Sequence, residues 1–233
     1  MSTRERITLE PAYVLHSREY RDTSRILDVF SAAHGRLTLF ARGARGPKSK
    51  LASLLMPFRP LLVSWSGRGD AAQLTAAEPD GEAAPLPSRQ VLSGFYLNEL
   101  VISLTTRHDP QPQLFDDYAA ALRGLASDAA AEPILRVFEK RLLASLGYGL
   151  EFAVQAGTYY RFRVGEGLAE VREDAPGAYP GRCLLALQEE NLADVETLDV
   201  ARRVLRQALD HCLEGRELRT RTVARSMLRR GNP

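Results

Sequence analysis

The feature that most constrains this chain is a change in apolar period near residue 80. Upstream, "AYVLHS", "SRILDVFS", "GRLTLFA", "PLLVSW" and "AQLTAA" are short runs rich in β-branched and aromatic residues, each bounded by turn-forming residues. "GRLTLFAR" alternates most clearly. Leu37, Leu39 and Ala41 share one face and Arg36, Thr38, Phe40 and Arg42 the other, as in a half-buried strand. Downstream, apolar residues recur at steps of three and four: Ala201, Val204, Leu205, Ala208, Leu209, Cys212 and Leu213 form the stripe of a helix. Strands come first and helices second, so the chain must bury two kinds of element in succession.

Five short strands without long helices predict a small β-barrel with the strand count of an OB-fold, although an SH3-type barrel would read alike. The Pro-, Gly- and acid-rich "EPDGEAAPLPS" (78–88) reads as a linker. The reading is therefore α+β: an OB-fold β-barrel domain over 1–80 and a mainly α-helical domain over 81–233. Within the second, "SRQVLSGFYLNELVISLT" is a helix buried on several sides, with Ser88 as N-cap. "LFDDYAAALRGLA" follows, then "EPILRVFEKRLLASLGYG", opened near Pro133 and stopped at Gly147. A helix over 197–213 stops at Gly215, and the basic "ELRTRTVARSMLRR" follows it. The stretch 149–182 is an irregular insert in which only "TYYRFRV" and "LAEVR" resemble strands.

Of 233 residues, 45% are hydrophobic and 26% charged, ordinary for a globular protein. No apolar run approaches a membrane span, and "MSTRERITLE" is too charged for a secretory signal, so a cytosolic chain without a membrane partner is expected. The net charge of +2 hides an asymmetry. Arg and Lys outnumber Asp and Glu 12 to 8 over 1–80 and 6 to 2 over 214–233, but are outnumbered 13 to 19 over 81–213. Positive charge at both ends suits an anionic partner.

Chemistry of the catalytic kind has no residues to rest on. There is no Gly-x-Ser-x-Gly elbow, His-Glu-x-x-His, Cys-x-x-Cys or G-x-G-x-x-G. Cys183 and Cys212 read as reduced core residues, and the four histidines lack ligand spacing, so no metal and no cofactor is expected. Asp116 and Asp117 read as solvated surface. Asn98 and Glu99, polar inside an apolar helix, are best explained by hydrogen bonds to a loop or to the neighbouring domain.

Binding features are present. "ARGARGPKSK" (41–50) carries four basic residues, and no carboxylate lies between Asp28 and Asp70. It is not an ATP-binding loop, because Pro47 stands between Gly46 and Lys48 and removes a backbone donor. OB-type barrels hold single strands with a basic groove and stacking aromatics. Arg36, Arg42, Arg45, Lys48, Lys50 and Arg59 supply the charge; Phe40, Phe58 and Trp65 are candidate platforms, with Trp65 better read as barrel core. In "PILRVFEKRLL", Ile134, Leu135, Phe138, Leu142 and Leu146 form an apolar stripe beside Arg136, Lys140 and Arg141. Such a stripe is usually core, but apolar surface next to guanidinium groups also suits an acidic peptide with an aromatic end.

Taken together, "VLHSREYRDTSRILDVFSAAHGRL", "ARGARGPKSKLASLLMPFRPLLVSWSGRGD", "GFYLNELV", "LRVFEKRLLASLGYG", "GRCLLAL" and "RELRTRT" resemble the RecO family of bacterial recombination mediators in order and spacing along almost the whole chain. The resemblance implies an N-terminal OB-fold, a helical C-terminal domain and no catalytic turnover. It further implies binding of single- and double-stranded DNA, strand annealing, engagement of the acidic tail of single-stranded DNA-binding protein, and action with RecR to help load RecA. Its basic loop falls on Arg42, Arg45, Lys48 and Lys50; Arg219 and Arg221, in the second basic end, are expected as further DNA contacts on the ground of their charge. Its tail-binding helix falls on Leu135, Arg136 and Phe138, flanked by Lys140 and Arg141.

One departure stands out. Many members carry a four-cysteine zinc module after "LGYG", whereas 149–182 has no cysteine, so zinc should be absent. The resulting expectation is a cytoplasmic, nucleoid-associated mediator. An RNA-binding OB module and a protein-binding adaptor are the alternatives.

Overall fold

The computed structural model describes residues 6–45, 49–67, 72–82, 84–150, 153–163 and 165–230, without the side chains of Lys50, Leu228 and Arg230. Two compact units are present: 1–128 with 218–233, and 129–217.

The first unit begins with β1 (Arg6–Tyr20), β2 (Ser24–Ser31) and β3 (Gly35–Ala41), continues through a short helix α1 (Lys50–Leu54), and adds β4 (Leu61–Ser66) and β5 (Gln73–Pro79). The strands close a barrel in the order β1-β2-β3-β5-β4. β1 is long enough to pair with both β2 and β4, bending at a bulge between Ile7 and Glu10 where Leu9 takes φ +53°. β3 and β5 meet in parallel at Phe40 and Gln73. This order, with a helix between the third and fourth strands, is OB-type and decides against the SH3 alternative.

The alternation in β3 holds in the barrel: Leu37, Leu39 and Ala41 enter a core shared with Val14, Leu27, Val29, Leu61, Val63 and Trp65. Leu55, just past α1, is fully buried in the same core. The tight entry to β3 requires glycine. Gly35 has φ +64°, and a Cβ there would lie 2.1 Å from the Asp109 carbonyl oxygen.

Glu78–Ser88 lies within this first unit and leads to a 3-10 turn over Ser88–Gln90. Ser88 is therefore not the N-cap expected from sequence: the turn itself starts the helical segment, and no side chain caps it. α2 (Val91–Leu104) and α3 (Pro112–Ala126) follow, and α7 (Arg219–Arg230) completes the unit. Asp117 is buried rather than solvated, because it falls on the packed face of α3 with Leu114, Tyr118 and Ala121; Asp116 is exposed.

The second unit holds α4 (Ala131–Ser145), a sheet of β6 (Tyr159–Arg163), β7 (Gly167–Val171) and β8 (Tyr179–Pro180), then α5 (Gly181–Gln188) and α6 (Val195–Cys212). α4 is stopped by Gly147, the residue after its C-cap Leu146, which has φ +83°. α6 is capped by Asp194, whose carboxylate accepts from the Thr197 N–H at 2.8 Å and the Thr197 hydroxyl at 2.7 Å. Cys183 and Cys212 are free thiols, the first fully buried and the second partly; burial raises both pKa values. No described helix is long and apolar enough to cross a membrane.

Candidate nucleic-acid interface

Strand register sets the outer face of β1-β2-β3. Arg18 pairs with Ile26, Ile26 with Phe40, and Tyr20 with Ser24, so the open end of this face gathers Arg18, Tyr20 and Phe40. The Tyr20 and Phe40 rings meet edge to face at 5.6 Å, and the Arg21 guanidinium lies 5.2 Å from the Tyr20 centroid. Tyr20, Arg18, Arg21 and Arg42 are all exposed. Arginine beside exposed ring surface is the pairing that phosphates and bases can both use.

Arg45 shapes this end. Its N–H donates to the Thr23 carbonyl at 3.1 Å, and its guanidinium donates to the Arg21 carbonyl at 3.2 Å and pairs with Glu19 at 2.7 Å. It thus fastens the start of the basic loop to the β1–β2 turn. Lys48 lies outside the described residues, and Lys50 begins α1.

The other half of the face is covered within the same unit. Arg36 donates to the Thr105 carbonyl at 2.8 Å and to the Thr105 hydroxyl at 3.3 Å. Arg107 reaches Thr38 Oγ1 at 2.6 Å and Asp28 Oδ1 at 3.3 Å, which buries Thr38. Burial and the neighbouring Arg107 lower the Arg36 pKa, with Asp28 opposing. Arg36 thus ties β3 to the α2–α3 connection. Phe30, also on this face, packs against Phe115 and Tyr118.

Of the other sequence candidates, Arg59 is exposed before β4, at the opposite end of that strand from Ser66, whose partner Gln73 meets Phe40. Trp65 is barrel core, and Phe58 packs edge to face on Phe95 at 4.9 Å. Arg219 and Arg221 open α7. Glu99 caps that helix, accepting from the N–H of Arg219 at 2.7 Å and from the N–H and hydroxyl of Thr220 at 2.9 and 2.6 Å. The Arg221 guanidinium lies 5.8 Å from the Tyr96 ring centroid. Sequence reading missed Arg18, Tyr20 and Arg21, although "REYR" before a turn carried the signal.

In the second unit, Lys140 and Arg141 converge on Glu190, at 3.1 Å for the lysine and at 3.0 and 2.6 Å for two arginine nitrogens. Arg136 pairs with Glu139 at 2.6 Å, with 11% of the arginine and 1% of the glutamate side chain exposed. Phe138 is fully buried and Leu135 partly so. The apolar stripe of α4 is thus core at its centre, with the basic residues rimming it.

Comparison with known proteins decides the family. Residues 5–80 match the model for "Recombination protein O N terminal" and residues 89–222 that for "Recombination protein O C terminal". The chain belongs to the RecO family. It is 40% identical to a protein named DNA repair protein RecO from Methylococcus capsulatus, over 95% of this chain and 94% of the relative. It is also 40% identical to the one from Azoarcus, covering 98% and 99%, and 41% identical to the one from Nitrosococcus oceani, covering 97% and 96%. Membership makes this a RecO-family DNA repair protein, with the OB-type barrel in the segment matched by the first RecO model.

Proposed function

We propose that this RecO-family chain is a recombination mediator without catalytic turnover that binds single- and double-stranded DNA and anneals complementary strands. The observation that carries the reading is the open end of the β1-β2-β3 face, where the exposed Arg21 guanidinium lies against the Tyr20–Phe40 ring pair, with exposed Arg18 in register on the same face and exposed Arg42 two residues past Phe40. Lys48 and Lys50 extend the same basic segment in sequence, and Arg219 and Arg221 add charge on α7. Phosphates would take the arginines while exposed bases stack on Tyr20 and Phe40, and annealing follows when positive surface screens two strands whose bases stay free to pair. Arg36 and Arg45 act by holding the face in shape.

In the second unit, Lys140, Arg141 and Arg136 beside Leu135 form the surface for the acidic tail of single-stranded DNA-binding protein, with Phe138 supporting the helix from below. Handover to RecA, together with RecR, would follow from clearing that protein off the strand in a cytoplasmic, nucleoid-associated setting. An annealing assay with coated and bare complementary oligonucleotides tests both sites. Arg21→Glu/Arg42→Glu should slow annealing on bare strands, whereas Lys140→Glu/Arg141→Glu should slow it only on coated ones. Equal losses from both double substitutions on both substrates would refute the division of labour.

A further inference from the structure

A cavity of about 550 Å³ in the first unit has a lining unlike the basic end of the barrel. Three rings, Tyr13, Phe58 and Phe115, and three carboxylates, Asp80, Glu82 and Asp116, face it. Among the described residues of the lining Arg123 is the one cation, against three carboxylates, which leaves an excess of two negative charges. The walls are held in place. Tyr13 and Phe115 pack with centroids 5.4 Å apart, and the Asp80 N–H donates to the Pro60 carbonyl at 3.0 Å. Phe58 sits at φ +71°, and its ring occupies the space Gly94 leaves: a Cβ on Gly94 would lie 2.9 Å from it. Phe58 also contacts Phe95, which is 42% exposed, so the apolar lining continues onto open surface.

Aromatic faces attract cations through their quadrupole, and carboxylates beside them add direct charge attraction and a hydrogen-bonded end point. The geometry points to a docking site for a partner protein segment that inserts an arginine or lysine into the cavity and lays a flanking apolar side chain toward Phe58 and Phe95. Charge complementarity selects this occupant, since an acidic segment or nucleic acid would meet three carboxylates. The chain would thereby hold a basic partner segment here and an anionic ligand on its basic surface.

The test is an array of nonapeptides with Arg, Lys, Gln or Glu at the centre and Leu, Phe or Ala on either side, probed with the full-length labelled protein. Arg- and Lys-centred peptides with Leu or Phe neighbours should bind at least tenfold better than their Gln counterparts. Asp80→Asn/Asp116→Asn, isosteric at two exposed positions, should erase that preference, and Ala126→Phe, which fills the lining, should block binding with the fold intact by circular dichroism. No binding, no preference for a cationic centre, or a preference that survives Asp80→Asn/Asp116→Asn would overturn the proposal. So would a concentration-dependent dimer in sedimentation that the same double substitution abolishes, because the occupant would then be a second copy of this chain.

Discussion

The Asn98 side chain, inside the apolar helix α2, donates to the Leu15 carbonyl of β1 at 2.7 Å, at the bulge between Val14 and His16. Its own carbonyl accepts the Tyr118 hydroxyl at 2.6 Å. A bulge leaves ladder groups unpaired, and here one buried amide satisfies the strand and fastens it to two helices. Asn98→Leu should cost about 2–4 kcal/mol by leaving the Leu15 carbonyl without this donor and the Tyr118 hydroxyl without this acceptor. Chemical denaturation should show the midpoint falling with an unchanged slope.

Glu99, the next residue of the same helix, caps α7 through three hydrogen bonds. Glu99→Ala removes an anion and its acceptor oxygens from a helix N-terminus, a loss of about 1–2 kcal/mol. Hydrogen exchange should quicken across 219–230 while the barrel strands keep their protection. Glu99→Gln should recover part of it.

Glu190 gathers Lys140 and Arg141, and the Arg141 and Lys140 hydrogen bonds hold its carboxyl below the ordinary carboxylate value, against the opposing effect of burial. Its contribution to stability is complete above the unfolded carboxylate value of about 4.3 and vanishes as pH falls through the lower folded value. With Arg141 40% exposed, Glu190→Gln should cost only about 1 kcal/mol at pH 7. The gap between wild type and variant should close as pH falls below 4.3, in thermal unfolding followed at several pH values.

The sequence displayed the strands of the barrel because one-sided burial forces alternation, as Leu37, Leu39 and Ala41 show. Helix stops at Gly147 and Gly215 were legible because positive φ selects glycine there. The short α1 and the 3-10 turn at Ser88 were not, since each is set by how neighbouring segments pack rather than by local pattern. Arg36 and Arg45 illustrate the limit at the candidate site: an arginine in a strand-edge pattern reads as a free cation, and only the fold shows Thr105 or Glu19 holding it. Conversely, Tyr20 gains meaning only when pairing in register brings it to Phe40.

The most direct test of the account is the salt dependence of single-stranded DNA binding, by fluorescence anisotropy, for wild type and Arg21→Glu/Arg42→Glu. Each phosphate contact adds about −0.7 to the log–log slope on single strands. The double substitution should bind more weakly, with a slope shallower by about 1.4, two contacts' worth. Unchanged affinity and slope would contradict it and remove DNA from the open end of the β1-β2-β3 face.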